Sequence, residues 1–231
     1  MSFLLLSFSY SNNENVYKEK AREIIENLDT VEHIYGIDFS HYSGDINWNH
    51  LSHDTNEISF IFLRATYGVE VDYRYCDNVE EAICREYITG SYHYFRPNEC
   101  GDVQAYNYLN TISRSDEHLL PVLDAESSYF DVTDDELRRE WKKWLDIVEN
   151  ELCVTPIIYS NLKFWEEHIR DFPEFDRYPL WIAAYPPEKW KDEVMEIAHI
   201  YQFSDREQIR GITKKVDGNI ISKEKFLRLL P

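Results

Sequence analysis

From about residue 34, short runs of apolar, β-branched and aromatic residues alternate with longer polar or helix-patterned stretches. Such alternation predicts βα units around a largely parallel sheet. Eight runs read as strands, near 34–39, 59–65, 90–95, 119–125, 154–160, 179–184, 197–203 and 213–219. Eight parallel-type strands suggest a closed β/α barrel. The clearest helical periods lie at about 77–88 and 134–150. The second has its own start signal: Thr133 as N-cap, Glu136 three residues on, and Val132 with Leu137 as a hydrophobic staple. Trp141 and Trp144, three apart on that helix, read as packing. The last three strands are separated by about 12 residues or fewer, which leaves little room for crossover helices and makes the barrel irregular. Ahead of it, Val16, Tyr17, Ala21, Ile24, Ile25 and Leu28 share one helical stripe. The expected organisation is an N-terminal extension over 1–33 with an amphipathic helix, and one barrel domain over 34–231.

Composition narrows the partners. The 231 residues include 43% hydrophobic positions, enough for one full core, and no Gly/Ser-rich linker divides them. With 24 basic and 43 acidic residues the formal charge is −19, a field that repels phosphate backbones and anionic lipid and argues against nucleic acid as a partner. Aromatic residues make up 15% of the chain, which serves a core and also suits stacking on sugar rings. Cys76, Cys84, Cys100 and Cys153 have neither zinc-site spacing nor a disulfide framework, and His50 with His53 lacks a third ligand, so no metal or cofactor is expected. No run reaches the roughly 20 apolar residues of a membrane span. Phe3–Phe8 is apolar but short and lacks a basic start, so it leaves the compartment open.

Candidate chemistry gathers where the predicted strands end. The apolar run Leu119–Leu123 terminates in Asp124-Ala125-Glu126. Side chains at i and i+2 of an extended segment face the same side, about 6–7 Å apart at Cα. The other strand ends carry Asp38; Arg64 and Thr66; Tyr92 and His93; Tyr159; Trp181 and Tyr185; Gln202; and Asp217 with Asn219. A β/α barrel builds its active site on that rim. Were Asp38, Asp124, Glu126 and Asp217 to share a cleft at about 6 Å, each pair would repel by about 3 kcal/mol at an effective dielectric of 20, or about two pKa units. At least one would stay protonated, as a general acid for glycosidic cleavage requires. Plainer readings exist for each residue. Asp124 and Glu126 suit a salt-bridging pair, Asp38 a loop cap and Asp217-Gly218 a turn, while His93 reads as a buried hydrogen-bonding residue and Arg64 as a support for carboxylates.

Seven stretches, in order, resemble glycoside hydrolase family 25, the Chalaropsis-type lysozymes or N-acetylmuramidases. They are Gly36-Ile37-Asp38-Phe39-Ser40, Phe60–Thr66, Gly90–Pro97, Pro121–Glu126, Ile158-Tyr159-Ser160, Leu180–Ala183 and Val216-Asp217-Gly218-Asn219. The resemblance implies a single flattened, irregular α/β barrel of the TIM type that hydrolyses the β-1,4 bond between N-acetylmuramic acid and N-acetylglucosamine in bacterial peptidoglycan. It implies Glu126 as general acid and Asp124 as the residue assisting the substrate's 2-acetamido group, a substrate-assisted exception to the two-carboxylate scheme. Asp38 and Asp217 match the two remaining acids. Tyr92, Tyr159, Trp181, Tyr185, Gln202 and Arg64 are the expected cleft residues. Peptidoglycan glycan strands are the implied partner, a monomer the implied form, and the cell envelope or extracellular space the implied location.

Departures from the family pattern bear on specificity. Tyr42-Ser43 stands where Trp-Gln is common, and Arg64-Ala65-Thr66-Tyr67-Gly68 where Lys-Ala-Thr-Glu-Gly is common. Two other readings therefore stay open: a β-N-acetylhexosaminide hydrolase acting on chitin-like chains, and a catalytically silent wall-binding module that keeps the cleft.

Overall fold

A computed structural model describes residues 33–113, 118–185 and 190–230. The helical stripe at 16–28 lies outside the described residues. The strands are β1 (His33–Phe39), β2 (Ile58–Tyr67), β3 (Glu70–Val71), β4 (Ile88–Tyr94), β5 (Val122–Asp124), β6 (Ile157–Asn161), β7 (Leu180–Ala183), β8 (Ile200–Glu207) and β9 (Val216–Ser222). Their order is β1-β9-β8-β7-β6-β5-β4-β2-β3, and a parallel β1–β2 pairing closes eight of them into a barrel. All eight expected strands are present. β3, a two-residue strand antiparallel to the end of β2, lies outside the barrel.

One expectation about direction needs correction. Asp217 was read at the end of a strand like the others, but β9 runs antiparallel to both β1 and β8. It is reached from β8 without a helix, so the chain turns back and enters β9 from the rim where the other strands finish. Asp217, second in β9, thus pairs in register with Asp38 near the end of β1. The gap between β7 and β8 is also wider than expected and holds a helix of eight residues.

The helices are α1 (Tyr75–Cys84), α2 (Gly101–Thr111), α3 (Asp134–Leu152), α4 (Leu162–His168), α5 (Trp190–Ile197) and α6 (Lys223–Leu227). At α3 the Thr133 side chain accepts from the Glu136 backbone N–H and the Glu136 carboxylate accepts from Thr133 N–H, a complete capping box. Leu137, Trp141, Trp144, Leu145 and Val148 form its buried face. They pack on the outer strand residues Ile61, Leu63, Leu123 and Ile158 in the largest of the hydrophobic clusters.

Strand periodicity sorts the remaining residues into the barrel. On β2, Phe60, Phe62 and Arg64 alternate with Ile61, Leu63 and Ala65. The first set faces the interior and the second meets the helices. Below the rim the interior is apolar, with Phe60, Phe62, Val122, Ile157, Trp181 and Ile200, and Phe226 of α6 packs against it. Gly36 and Gly90 make room for this filling, because a Cβ at either would lie 2.4 Å from the Phe60 or Phe62 ring.

Candidate functional site

The same alternation carries polar residues into the upper layer of the barrel. On β1 the interior series runs Ile34, Gly36, Asp38, Ser40; on β4, Ile88, Gly90, Tyr92, Tyr94; through β5, Val122, Asp124, Glu126. These upper residues line a cavity of about 210 Å³ together with Arg64, Tyr159, Trp181, Asp217 and Tyr42. The structure thus brings Asp38, Asp124, Glu126 and Asp217 to one cavity, with Tyr92, Tyr159, Trp181 and Arg64 in its wall. Tyr185 lines a neighbouring cavity of about 430 Å³ instead, alongside Phe203, Ser204 and Asp205. Gln202 is beneath the site, 1% exposed, with its side chain engaged by protein groups. Ser40, Tyr42 and Tyr94 are wall residues that the strand-end reading passed over. Ser40 and Tyr94 follow Asp38 and Tyr92 by two positions, and that spacing is the signal that finds them.

Burial and mutual repulsion dominate the electrostatics. Asp124 is buried beside Glu126, Asp38 and Asp217, and its carboxyl is pushed well above the usual range despite the opposing Arg64. Its Oδ1 is buried with no hydrogen-bond partner. Glu126 is raised by burial and by the charge of Asp38. Asp217 rises to about 8 through burial and the proximity of Asp38. Asp38 rises only to about 6, because the lift from burial is opposed by bonds from Asn219 and Gln202. Those bonds are 2.7 and 2.8 Å, both to Asp38 Oδ2. Trp181 Nε1–H donates to Asn219 Oδ1 at 2.9 Å, and the Tyr159 and Tyr185 hydroxyls donate to Gln202 Oε1 at 3.0 and 2.6 Å.

Arg64 lines the cavity wall but pairs with Asp72 rather than with the four acids. Its Nε–H donates to Asp72 at 3.0 Å, and its guanidinium stacks between the Tyr42 and Tyr67 rings at 5.0 and 4.9 Å. Asp72 had no signal in the sequence pattern. It follows the short strand β3 and reaches Arg64 only because β3 folds back on β2. His93 points away from the cavity, fully buried between Thr66 (2.6 Å) and Gln104 (3.0 Å) and stacked on Trp144. Burial lowers its pKa to about 3, so it stays neutral. The four cysteines are exposed free thiols. Among the described residues no helix is long and apolar enough to cross a membrane.

The barrel gathers four carboxylates in one cavity at its rim, and the sequence profile described as Glycosyl hydrolases family 25 matches residues 37–212. The chain belongs to glycosyl hydrolases family 25. Family 25 membership makes it a glycoside hydrolase, and the matched span runs from β1 past β8. The uncharacterized protein YegX of Escherichia coli K12 is 32% identical over 193 residues, covering 82% of this chain and 70% of YegX. Lysozyme M1 of Streptomyces globisporus is 34% identical over 98 residues, 40% of this chain and 33% of that protein. Among solved structures, the bacterial lysozyme from Streptomyces coelicolor superposes with a TM-score of 0.72 at 24% identity, covering 85% of this chain and 96% of its own. That likeness is one of fold.

Proposed function

We propose that this family 25 hydrolase is a muramidase, cleaving the β-1,4 bond between N-acetylmuramic acid and N-acetylglucosamine in bacterial peptidoglycan. The observation that carries the reading is the pairing of a crowded acid cluster with one buried, unpartnered carboxylate oxygen, Asp124 Oδ1. A buried acceptor without a donor costs stability, and a ligand N–H would satisfy it. The N–H of a 2-acetamido group is such a donor.

Glu126, kept protonated by burial and by Asp38, is the general acid. As it protonates the glycosidic oxygen, the C1–O bond breaks and the acetamido carbonyl oxygen bonds to C1. Asp124 accepts the acetamido N–H at its unpartnered Oδ1 and so holds the acetamido carbonyl oxygen toward C1. Water then attacks C1, passing a proton to Glu126, and the acetamido bond opens with net retention. Asp38 and Asp217 set the charge of the cavity. Tyr92, Tyr159 and Trp181 form the wall on which a sugar ring rests. The proposed catalytic unit is the barrel over 34–231, acting as a monomer, with residues 1–33 as an extension. It works on wall material in the envelope or outside the cell.

Digestion of purified peptidoglycan followed by mass analysis tests the assignment. Muropeptides ending in reducing N-acetylmuramic acid are expected, with chitin oligomers left intact, and Glu126→Gln should lower the rate at least about a hundredfold. Products ending in N-acetylglucosamine, or full activity in the variant, would overturn it.

A further inference from the structure

Of the two side-chain amides on Asp38, that of Asn219 has its orientation fixed by Trp181. An indole N–H can only donate. Since it donates to Asn219 Oδ1 at 2.9 Å, Asn219 has to present its NH2 group to Asp38, where it donates to Oδ2 at 2.7 Å. Gln202 donates to the same oxygen at 2.8 Å, with its carbonyl turned to the Tyr159 and Tyr185 hydroxyls. An oxygen that accepts two N–H donors has no room for a proton of its own.

Asp38 also shares a hydrogen bond with Asp217, its register partner across the β1–β9 ladder. Two carboxyls in such contact hold one proton between them. With two amides bonded to Asp38, the proton belongs to Asp217. The remaining titratable groups facing Asp38 are Tyr92 from β4, Asp124 and Glu126 from β5 and its end, Tyr159 from β6 and Tyr185 beyond β7, with Arg64 from β2 in the same cavity wall. None of them donates to Asp38 Oδ2 in the way the two amides do.

Resting on the muramidase reading, we infer that Asn219, oriented by Trp181, and Gln202, bonded to Tyr159 and Tyr185, are positioning residues. They fix Asp38 as the anion of the pair, and through that anion they keep the general acid Glu126 loaded with its proton. The amides act on Glu126 through the Asp38 charge, which opposes ionisation of Glu126 directly.

The signature is a change of width in the pH profile of kcat/KM. Asp38 must be ionised and Glu126 protonated, so the first sets the acid limb and the second the basic limb. Asn219→Leu removes a donor from Asp38, and the acid limb should move up by roughly one pH unit, the worth of one charge-assisted hydrogen bond. Gln202→Met removes the other donor, and its acid limb should move up by a similar amount. Trp181→Phe, which leaves both amides in place but unlocks Asn219, should shift the acid limb in the same direction by less, and it serves as the test where Asn219→Leu does not fold. Carbon-13 NMR titration of labelled carboxyls reads the Asp38 ionisation in parent and variants without any turnover. A parent that leaves peptidoglycan uncut defeats the muramidase reading, whatever the titration gives. Variants that lose rate or melting temperature while both limbs and the Asp38 titration stay at the parent's values would overturn this inference and leave the amides a packing role.

Discussion

Arg64 donates its Nε–H to Asp72 at 3.0 Å, with the two side chains 8% and 1% exposed. Asp72 also accepts the backbone N–H groups of His41 and Arg74, so the carboxylate is fully engaged and ties the segment after β1 to the end of β2. The pair thereby holds Tyr42, a cavity wall residue, against the guanidinium face.

Breaking that pair from one side strands a buried charge. Arg64→Met is expected to lower stability by roughly 3–5 kcal/mol, seen as a fall in Tm of about 10 °C. The double variant Arg64→Met, Asp72→Leu should recover part of the loss, because the orphaned carboxylate is gone. Thermal unfolding of the three proteins decides the point, and equal melting of the single and double variants would count against it.

Asp217 gives a pH-dependent stability with a definite sign. Its pKa in the folded chain is about 8, raised by burial and by Asp38, against an ordinary 3.8. Between these values the folded state binds more proton than the unfolded one, so this residue makes stability fall as pH rises from about 4 to 8. Asp217→Asn removes the linkage and can still donate to Asp38. It should melt above the parent at pH 9 by the equivalent of ~2 kcal/mol, or roughly 4–8 °C, with the advantage gone by pH 4. A melting difference that does not vary with pH would refute the assignment.

Asp124→Asn tests the use of the unpartnered oxygen. On acetylated glycan its kcat should drop about 10²–10³-fold, while on a de-N-acetylated glycan, which the parent also cuts poorly, the substitution should add little further loss. Equal losses on the two substrates would show that Asp124 acts without the acetamido group.

The capping box at the start of α3 is remote from the chemistry. Thr133→Ala should lower stability by about 1 kcal/mol and Tm by roughly 2–4 °C, with the rate on peptidoglycan unchanged. Calorimetry beside a turbidity assay checks both halves.

Much of the site was legible along the chain because strand geometry is a local rule. Period two puts Asp124 and Glu126 on one face, and the order of apolar then polar residues places them at a rim. The Thr133–Glu136 box and the Trp141–Trp144 face are equally local, set within a few helical turns. Helix α2 gave no such signal, since its buried face includes Gly101 and Gln104 rather than an apolar stripe. Tertiary structure alone decided that β9 runs backward, that Asp38 meets Asp217, that Arg64 finds Asp72, and that Trp181 orients Asn219 across 38 residues of chain. Each of these depends on register between strands and on closure of the barrel, and strand pairing is a relation between distant segments that neither segment encodes by itself.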